Sequence, residues 1–172
     1  MSWRVRDGVA LGMIAGQRRR GTDGAGPLGG FLVVIILDTN VVSELMRQSP
    51  AQVVADWSLS QNAQDLFTTS VTLAEIRYGI ERLADGQRKA QLRAKAADIF
   101  FGLADKVVPF DARAALRYAT LMADRDRAGR PRAGFDGQIA AICLSYNAAL
   151  ATRNLKDFQH TGVEVVNPWQ QA

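Results

Sequence analysis

The chain has 172 residues, of which 48% are hydrophobic and 22% are charged, a composition typical of one globular domain with a full hydrophobic core. The single cysteine, Cys143, excludes an internal disulfide and is compatible with a reducing cytosol, so we expect a cytoplasmic protein. The net charge is +4, but residues 1–30, with five arginines and two aspartates, carry most of it. Bulk charge therefore does not indicate nucleic-acid binding, and any basic surface must be local.

Residues 1–32 differ from the rest of the chain. Residues 1–30 contain eight of the 15 glycines, the run Arg18-Arg19-Arg20 and no sustained apolar periodicity. We expect a disordered Gly/Arg-rich extension, or a mis-assigned start whose true first residue is Val33 or Val34. No apolar run reaches the roughly 18 residues that a membrane helix needs, so no membrane association is expected. The sequence thus predicts one domain over residues 33–172.

Strands and helices alternate from residue 31 onward. The apolar run 31–37 is rich in β-branched residues and predicts a buried parallel strand. In chain order, the following elements are a helix at 41–47, a helix at 51–60 with Pro50 in its first turn, a strand at 66–70, helices at 72–84 and 88–103, a strand at 106–109, a helix from the cap Asp111 to about Ala128, a loop at 129–134, a helix at 135–146, and strands at 149–152 and 163–166. This alternation predicts an α/β fold with a central parallel sheet flanked by helices.

Four acidic or amide residues, Asp38, Glu75, Asp136 and Asn154, stand at predicted strand ends or near helix starts. The carboxyl ends of parallel strands share one edge of a sheet, so we expect these side chains to gather there. Three carboxylates in one place repel one another and stay ionised only beside a cation. Carboxylate oxygens suit Mg²⁺ or Mn²⁺, and the pattern predicts a metal site for phosphodiester hydrolysis.

Each of these residues also has a simpler explanation. Asp38 could be only a helix N-cap, and Glu75 could bond back to the Thr72 amide in a capping box. Asp136 could complement a helix dipole, and Asn154 could be a turn residue. Taken singly, each residue is compatible with a local capping or turn role and with a metal site. Their joint placement favours the metal site.

Other chemistries have little support in the residue types present. One histidine, His160, and one cysteine argue against imidazole-based ribonuclease chemistry and against a zinc site. A phosphatase with an aspartyl nucleophile at Asp38 would need a second acid two residues on, where the chain has Asn40. Arginines around the loop before Asp136 could meet a phosphate backbone or form a solvated loop; they are Arg125, Arg127, Arg130 and Arg132.

Several sequence blocks, in this order and spacing, resemble PIN-domain nucleases of the VapC/FitB toxin type. The first contains Asp38-Thr39-Asn40 within residues 36–44, and the second spans residues 68–75 with Gly79. The third spans residues 129–141 and includes Phe135-Asp136-Gly137. The fourth spans residues 151–158 and is followed by Asn167-Pro168-Trp169. The resemblance covers residues 34 to 169.

The resemblance implies a PIN fold and Mg²⁺- or Mn²⁺-dependent endoribonuclease activity on RNA. It also implies a homodimer neutralised by a cognate antitoxin encoded alongside. By position, Asp38, Glu75 and Asp136 carry over as the acidic metal cluster. Thr39 and Thr152 carry over as groups that support the metal ligands. We further expect Arg153, Asp157 and Arg130 to support the site or to contact the substrate.

One position departs from the family pattern. Many members have a fourth acid where this chain has Asn154, which we expect to contact a metal-bound water or a phosphate. Whether Asp157 replaces the missing charge, and whether one or two metals bind, stays open. Two alternatives also stay open: a housekeeping RNA-processing PIN nuclease, and a catalytically weak module that binds its antitoxin and DNA.

Overall fold

The computed structural model describes residues 34–129 and 134–170. Its centre is a five-stranded sheet in the order β3-β2-β1-β4-β5, in which each neighbouring pair is parallel. The strands are β1 (Ile35–Leu37), β2 (Leu66–Thr69), β3 (Val107–Val108), β4 (Ala149–Ala151) and β5 (Val165–Val166). The predicted α/β class with a central parallel sheet is confirmed.

Six α-helices connect and flank the strands in the described part of the chain. They are α1 (Thr39–Leu45), α2 (Gln52–Ser60), α3 (Ser70–Glu81), α4 (Gln87–Gly102), α5 (Ala112–Arg127) and α6 (Phe135–Tyr146). Short 3₁₀ turns lie at Ala104–Lys106 and Leu155–Phe158. Every predicted helix is present, and Asp111 caps α5 as predicted by accepting from the Ala114 amide.

Some helix ends differ from the predictions because side chains cap the backbone earlier than expected. Helix α3 begins at Ser70 rather than Thr72, because Thr69 Oγ1 accepts the Thr72 amide at 2.9 Å. Helix α1 likewise begins directly after its cap, Asp38. Pro50 lies one residue before the cap of α2, Ala51, instead of inside the first turn.

The alternation of side chains along β1 divides the core between the two faces of the sheet. Ile35 and Leu37 pack with residues of α1 to α4 on one face. Ile36 packs with α5, α6 and β4 on the other, where Cys143 is fully buried. Burial raises the pKa of the Cys143 thiol, so this cysteine is a small core residue, not a nucleophile.

All five strands run in the same direction, so their carboxyl ends form one edge of the sheet. The amide of Asp38 donates to the Ala151 carbonyl at 3.0 Å, and the amide of Thr152 donates to the Val166 carbonyl at 2.9 Å. These bonds carry the sheet pairing one residue beyond β1 and β4. They place the side chains of residues 38 and 152 next to each other.

Some predictions fall on residues that lie outside the described ones. Residues 1–33, Arg130 and Arg132 belong to this group, so the expected extension, the expected start and the arginine contacts there stay predictions. Among the described residues, every helix is too short or too polar to cross a membrane.

Candidate active site

Asp38 is a buried carboxylate at the carboxyl end of β1, with only 4% of its surface exposed. Its Oδ1 accepts from the Thr39 amide at 2.7 Å, which makes it the N-cap of α1. Its Oδ2 accepts from Thr152 Oγ1 and from Asn40 Nδ2, both at 2.6 Å. Asp38 is therefore both the N-cap of α1 and the centre of a polar network, and its expected role as a metal ligand stays a prediction.

Asn40 is the residue that ties this network across the sheet edge. Its Nδ2 also donates to Thr152 Oγ1 at 2.8 Å, and its Oδ1 accepts from the Arg153 amide at 3.1 Å. Because Asn40 offers both donors and an acceptor, it can bind the β1 and β4 ends at once. The sequence analysis used Asn40 in the first family block and to argue against a phosphatase, and it missed this role.

Glu75 lies in the second turn of α3 and reaches α1. Thr39 Oγ1 donates to Glu75 Oε2 at 2.6 Å, while the Thr39 amide donates to Asp38. A single threonine therefore links the two carboxylates. The capping-box alternative for Glu75 is wrong, because the Thr72 amide is taken by Thr69.

Asp136 is the second residue of α6 and is half-buried. Gly134, the cap of this helix, has a φ of 142°, which side-chain-bearing residues rarely adopt. The partial positive charge of the helix N-terminus favours a carboxylate at this position. The negative charge of Asp136 acts on both Asp38 and Glu75, so the three acids share one electrostatic environment.

The environments of Asp38 and Glu75 disfavour the charged forms of these two acids. Burial raises the pKa of Asp38 against the lowering effect of the hydrogen bonds from Thr152 and Thr39, and the charge of Asp136 raises it further. Burial also raises the pKa of Glu75, and the charges of Asp38 and Asp136 add to the rise. A nearby cation would stabilise the charged forms of both carboxylates.

The described residues supply no such cation. Among residues 34–129 and 134–170, no lysine or arginine forms an ion pair with Asp38, Glu75 or Asp136. Nor does any group of three Asp, Glu, His or Cys side chains in those ranges form a preassembled metal-binding cluster. Mg²⁺ needs only one or two carboxylates because water and substrate phosphate complete its shell. One or two of these carboxylates would be enough for a hard divalent cation, although the described acids form no preassembled site.

Asn154 follows the end of β4, as predicted, and its expected contact with a metal-bound water or a phosphate stays a prediction. Its amide donates to Thr152 Oγ1 at 3.0 Å, but its exposed side chain donates to Asp157 Oδ2 and not to any of the three acids. The structure thus brings Asn154 to the network through its backbone. Arg125, in the predicted arginine patch, donates to the Gln159 carbonyl at 3.3 Å, and Arg127 pairs with Asp124.

A groove of about 340 Å³ opens beside Glu75 between α1, α3 and α4. Thr39 and Glu75 stand among its walls, which are otherwise mainly apolar. The apolar lining includes Met46, Ile76, Ile80, Leu83 and Leu92. Glu75 is the acid of the set that lines the groove, and Arg47 and Arg88 also line it. The apolar part of the groove suits a hydrophobic ligand or segment.

Comparison with known proteins assigns this arrangement to a family. The family model described as PIN domain matches residues 35–164, which include Asp38, Glu75 and Asp136. The chain belongs to the PIN domain family. The predicted PIN-like fold is confirmed.

Relatives of this PIN domain are of the VapC/FitB type, as the sequence blocks suggested. It is 34% identical over 140 residues to a VapC ribonuclease of Sinorhizobium fredii, across 81% of this chain and 100% of the relative. The structure of FitAcB from Neisseria gonorrhoeae is 34% identical with a TM-score of 0.74, and the match covers 80% of this chain and 100% of that chain. A member of the VapBC family of toxin–antitoxin systems from Mycobacterium tuberculosis is 29% identical with a TM-score of 0.60, over 78% of this chain and 98% of that chain.

The PIN domain thus brings together at its sheet edge most of the residues that the sequence singled out. Asp38, Glu75, Thr39 and Thr152 form one hydrogen-bonded set, and Asp136 joins it electrostatically. Asn40 was missed, although its place two residues after Asp38 in the first turn of α1 was a usable signal.

Proposed function

We propose that this PIN domain is a metal-dependent endoribonuclease that hydrolyses RNA phosphodiester bonds. The observation that carries the proposal is the set of three carboxylates at the sheet edge, two of them with raised pKa values and none paired with a described cation. A VapC ribonuclease is among the relatives that match over nearly their whole length. Activation of water beside a phosphodiester is the chemistry that such a set supports best.

Mg²⁺ or Mn²⁺ would be held by Asp38 and Asp136, with Glu75 as a further ligand or a partner of metal-bound water. Asp38 Oδ2 already accepts two hydrogen bonds and Oδ1 accepts one, so the remaining acceptor capacity is on Oδ1. When bound, such a metal polarises the phosphate and activates water as a nucleophile. Thr39, Thr152 and Asn40 orient the carboxylates through their hydrogen bonds.

The protein would act as the toxin of a toxin–antitoxin pair in the cytoplasm, most simply as a homodimer. One of its matching structures comes from a toxin–antitoxin family. The apolar groove beside Glu75 offers a cognate antitoxin a surface next to the acids, since a segment lying there would cover Thr39 and Glu75. Inhibition would follow from blocked access of RNA to the site.

The direct test is RNA cleavage by the purified full chain with Mn²⁺, with EDTA, and in the Asp38→Asn variant. Asparagine caps a helix as well as aspartate does, so this variant removes the charge while retaining the cap. Glu44→Gln, which changes a buried acid outside the cluster, is the matched control. Cleavage that is lost with EDTA and in Asp38→Asn but kept in Glu44→Gln supports the proposal, and cleavage that survives EDTA contradicts it.

A second candidate is a catalytically weak module that binds its antitoxin and DNA. Asn154 favours it, because an amide stands where many family members have an acid, and its side chain is engaged with Asp157. In that case the Asn154→Asp variant should cleave RNA much faster than the wild-type protein. A housekeeping nuclease would instead lack a neighbouring small antitoxin gene.

A further inference from the structure

Arg153 lies at the rim of the acid site with its backbone fixed and its charge exposed. It follows Thr152, the donor to Asp38, and its own amide donates to Asn40 Oδ1 at 3.1 Å. Its guanidinium carbon lies 5.1 Å from the centroid of the Trp169 ring. The network that orients Asp38 therefore also fixes the backbone from which Arg153 projects.

Trp169 gives the guanidinium a fixed support. The indole is partly buried and packs against the core on the α1 to α4 face of the sheet. Its backbone amide donates to Asn167 Oδ1 at 3.0 Å, in the turn that follows β5. A guanidinium that rests on an aromatic face keeps its N–H edges available, because the contact uses the flat side of the group.

The donors of Arg153 are uncommitted in the described part of the chain. Arg47, Arg93 and Arg127 each pair with a carboxylate, whereas the Arg153 guanidinium makes no such pair with any described residue. Its charge acts at longer range on buried Glu44, whose own hydrogen bonds come from Arg47 and the Ala51 amide. Arg153 thus presents a planar donor group to solvent one residue after Thr152, the residue that donates to Asp38.

We propose that Arg153 binds a phosphate of the RNA backbone adjacent to the bond that is cut, and that Trp169 is the residue that positions it. The inference rests on the proposed ribonuclease function. Three acids repel a phosphodiester, and the chain outside residues 1–30 is nearly neutral, so a local cation is needed to hold the substrate. A stacked arginine supplies two parallel donors in the geometry that a phosphate accepts.

The test measures binding of a short single-stranded RNA to the full chain in EDTA, by fluorescence anisotropy over a series of salt concentrations. Arg153→Ala should weaken binding about tenfold. It should also reduce the slope of log K against log salt by about 0.7, the share of one phosphate contact on a single strand. Arg153→Lys keeps the charge and should keep the slope while binding more weakly than the wild-type protein.

Trp169→Leu and the milder Trp169→Phe test the positioning role. Both variants keep the charge of Arg153, so the salt slope should stay at the wild-type value. The affinity for RNA should fall in both variants, and it should fall less in Trp169→Phe than in Trp169→Leu. A merely structural role of Trp169 would lower the melting temperature without this pattern. In cleavage with Mn²⁺, Arg153→Ala should raise KM about tenfold with kcat nearly unchanged.

Arg113→Ala is the matched control, because the Arg113 guanidinium also stacks on an aromatic ring, that of Tyr146, at 4.7 Å. Tyr146 lies at the far end of α6 from Asp136, about 15 Å along the helix axis. Equal losses in Arg113→Ala and Arg153→Ala would indicate a bulk-charge effect and overturn the proposal. If affinity, salt slope and KM are unchanged in Arg153→Ala, the proposed role of Arg153 is overturned while the ribonuclease function stays intact. If the wild-type protein neither binds nor cuts RNA, both the role of Arg153 and the ribonuclease function are overturned.

Discussion

Asp38 and Glu44 are buried carboxylates at opposite ends of the short helix α1, with 4% and 7% of their surfaces exposed. Burial raises the pKa of Asp38, and the charge of Asp136 adds to the rise. Burial acts on Glu44 in the same direction, but hydrogen bonds from the Ala51 amide at 2.8 Å and from Arg47 outweigh it and leave the pKa of Glu44 lowered. Two carboxylates with similarly little exposed surface thus have pKa values that move in opposite directions.

The two carboxylates differ in two respects: Asp38 is enclosed more deeply by protein, and only Glu44 has a cation as a partner. Glu44 has a cation, since Arg47 Nη1 lies 3.2 Å from its Oε2, and its charge ties α1 to the start of α2. Asp38 has only neutral donors and faces two other acids. A buried charge without a counter-ion costs stability, so it needs a reason outside folding. Glu44 has a structural role, and Asp38 is the acid that we propose for the reactive site.

The largest expected effect is on cleavage by Asp38→Asn. Activity should fall by well over 100-fold, beyond the ~10–100-fold typical for groups that only orient a metal ligand. The fold should persist because asparagine retains the N-cap. Initial rates on single-stranded RNA with Mn²⁺ measure the effect, and circular dichroism checks the fold. A folded variant with more than a tenth of wild-type activity would break the distinction between the two acids.

Removal of the hydroxyl that links the two acids should have the next largest effect. Thr39→Val deletes the donor to Glu75 Oε2 while retaining the side-chain volume. Cleavage should fall about 10–100-fold, because Glu75 loses the group that orients it. Thr39→Ser retains the hydroxyl and is the matched control, with activity near that of the wild type. Similar losses in both variants would mean that the methyl group, not the hydrogen bond, matters.

Glu44→Ala should change stability rather than chemistry. It leaves the Ala51 amide without its acceptor and should lower the free energy of unfolding by about 1–3 kcal/mol. Urea unfolding measures this change, and cleavage per folded molecule should stay close to wild type. If Glu44→Ala abolished cleavage without a loss of stability, Glu44 would belong to the reactive site.

The pH dependence of stability should have opposite signs for the two acids. The raised pKa of Asp38, above its ordinary 3.8, means that the folded state binds more protons, so its contribution is present at low pH and is lost as pH rises through the folded pKa. The lowered pKa of Glu44, below its ordinary 4.5, gives a contribution that is present above 4.5 and is lost as pH falls through the folded pKa.

Urea unfolding without divalent metal, from about pH 4 to pH 7, distinguishes the pH dependence of stability due to Asp38 from that due to Glu44. The stability of Asp38→Asn relative to the wild type should rise as pH increases. The relative stability of Glu44→Gln should not rise over the same range. Parallel curves for both variants would show that the two carboxylates have similar environments.

The order and type of the elements could be predicted because apolar periodicity and capping residues are local signals. Helix α6 (Phe135–Tyr146) was predicted at its observed bounds, since Gly134 precedes it and its apolar residues are continuous. The gathering of Asp38, Glu75 and Asp136 also followed, because parallel strands place their carboxyl ends at one edge.

The side-chain network of the site could not be predicted, because it depends on contacts between residues far apart in the sequence, which one sequence does not reveal. Asn40 bonds to Thr152, 112 positions away, and Arg153 contacts Trp169, which lies in the turn that follows β5. The capping-box alternative for Glu75 failed because Thr69 competes for the same amide and Thr39 supplies another donor. Where two local partners compete, tertiary contacts decide between them.

The central claim is that the acids at the sheet edge, and not buried acids in general, bind a divalent cation. The most direct measurement is the shift in melting temperature on adding Mn²⁺ to the full chain, compared for the wild type, Asp38→Asn and Glu44→Gln. Binding to the folded state alone raises the melting temperature. We predict a clear rise in the wild type and Glu44→Gln and a much smaller one in Asp38→Asn; no rise in the wild type, or an equal rise in Asp38→Asn, would contradict the claim.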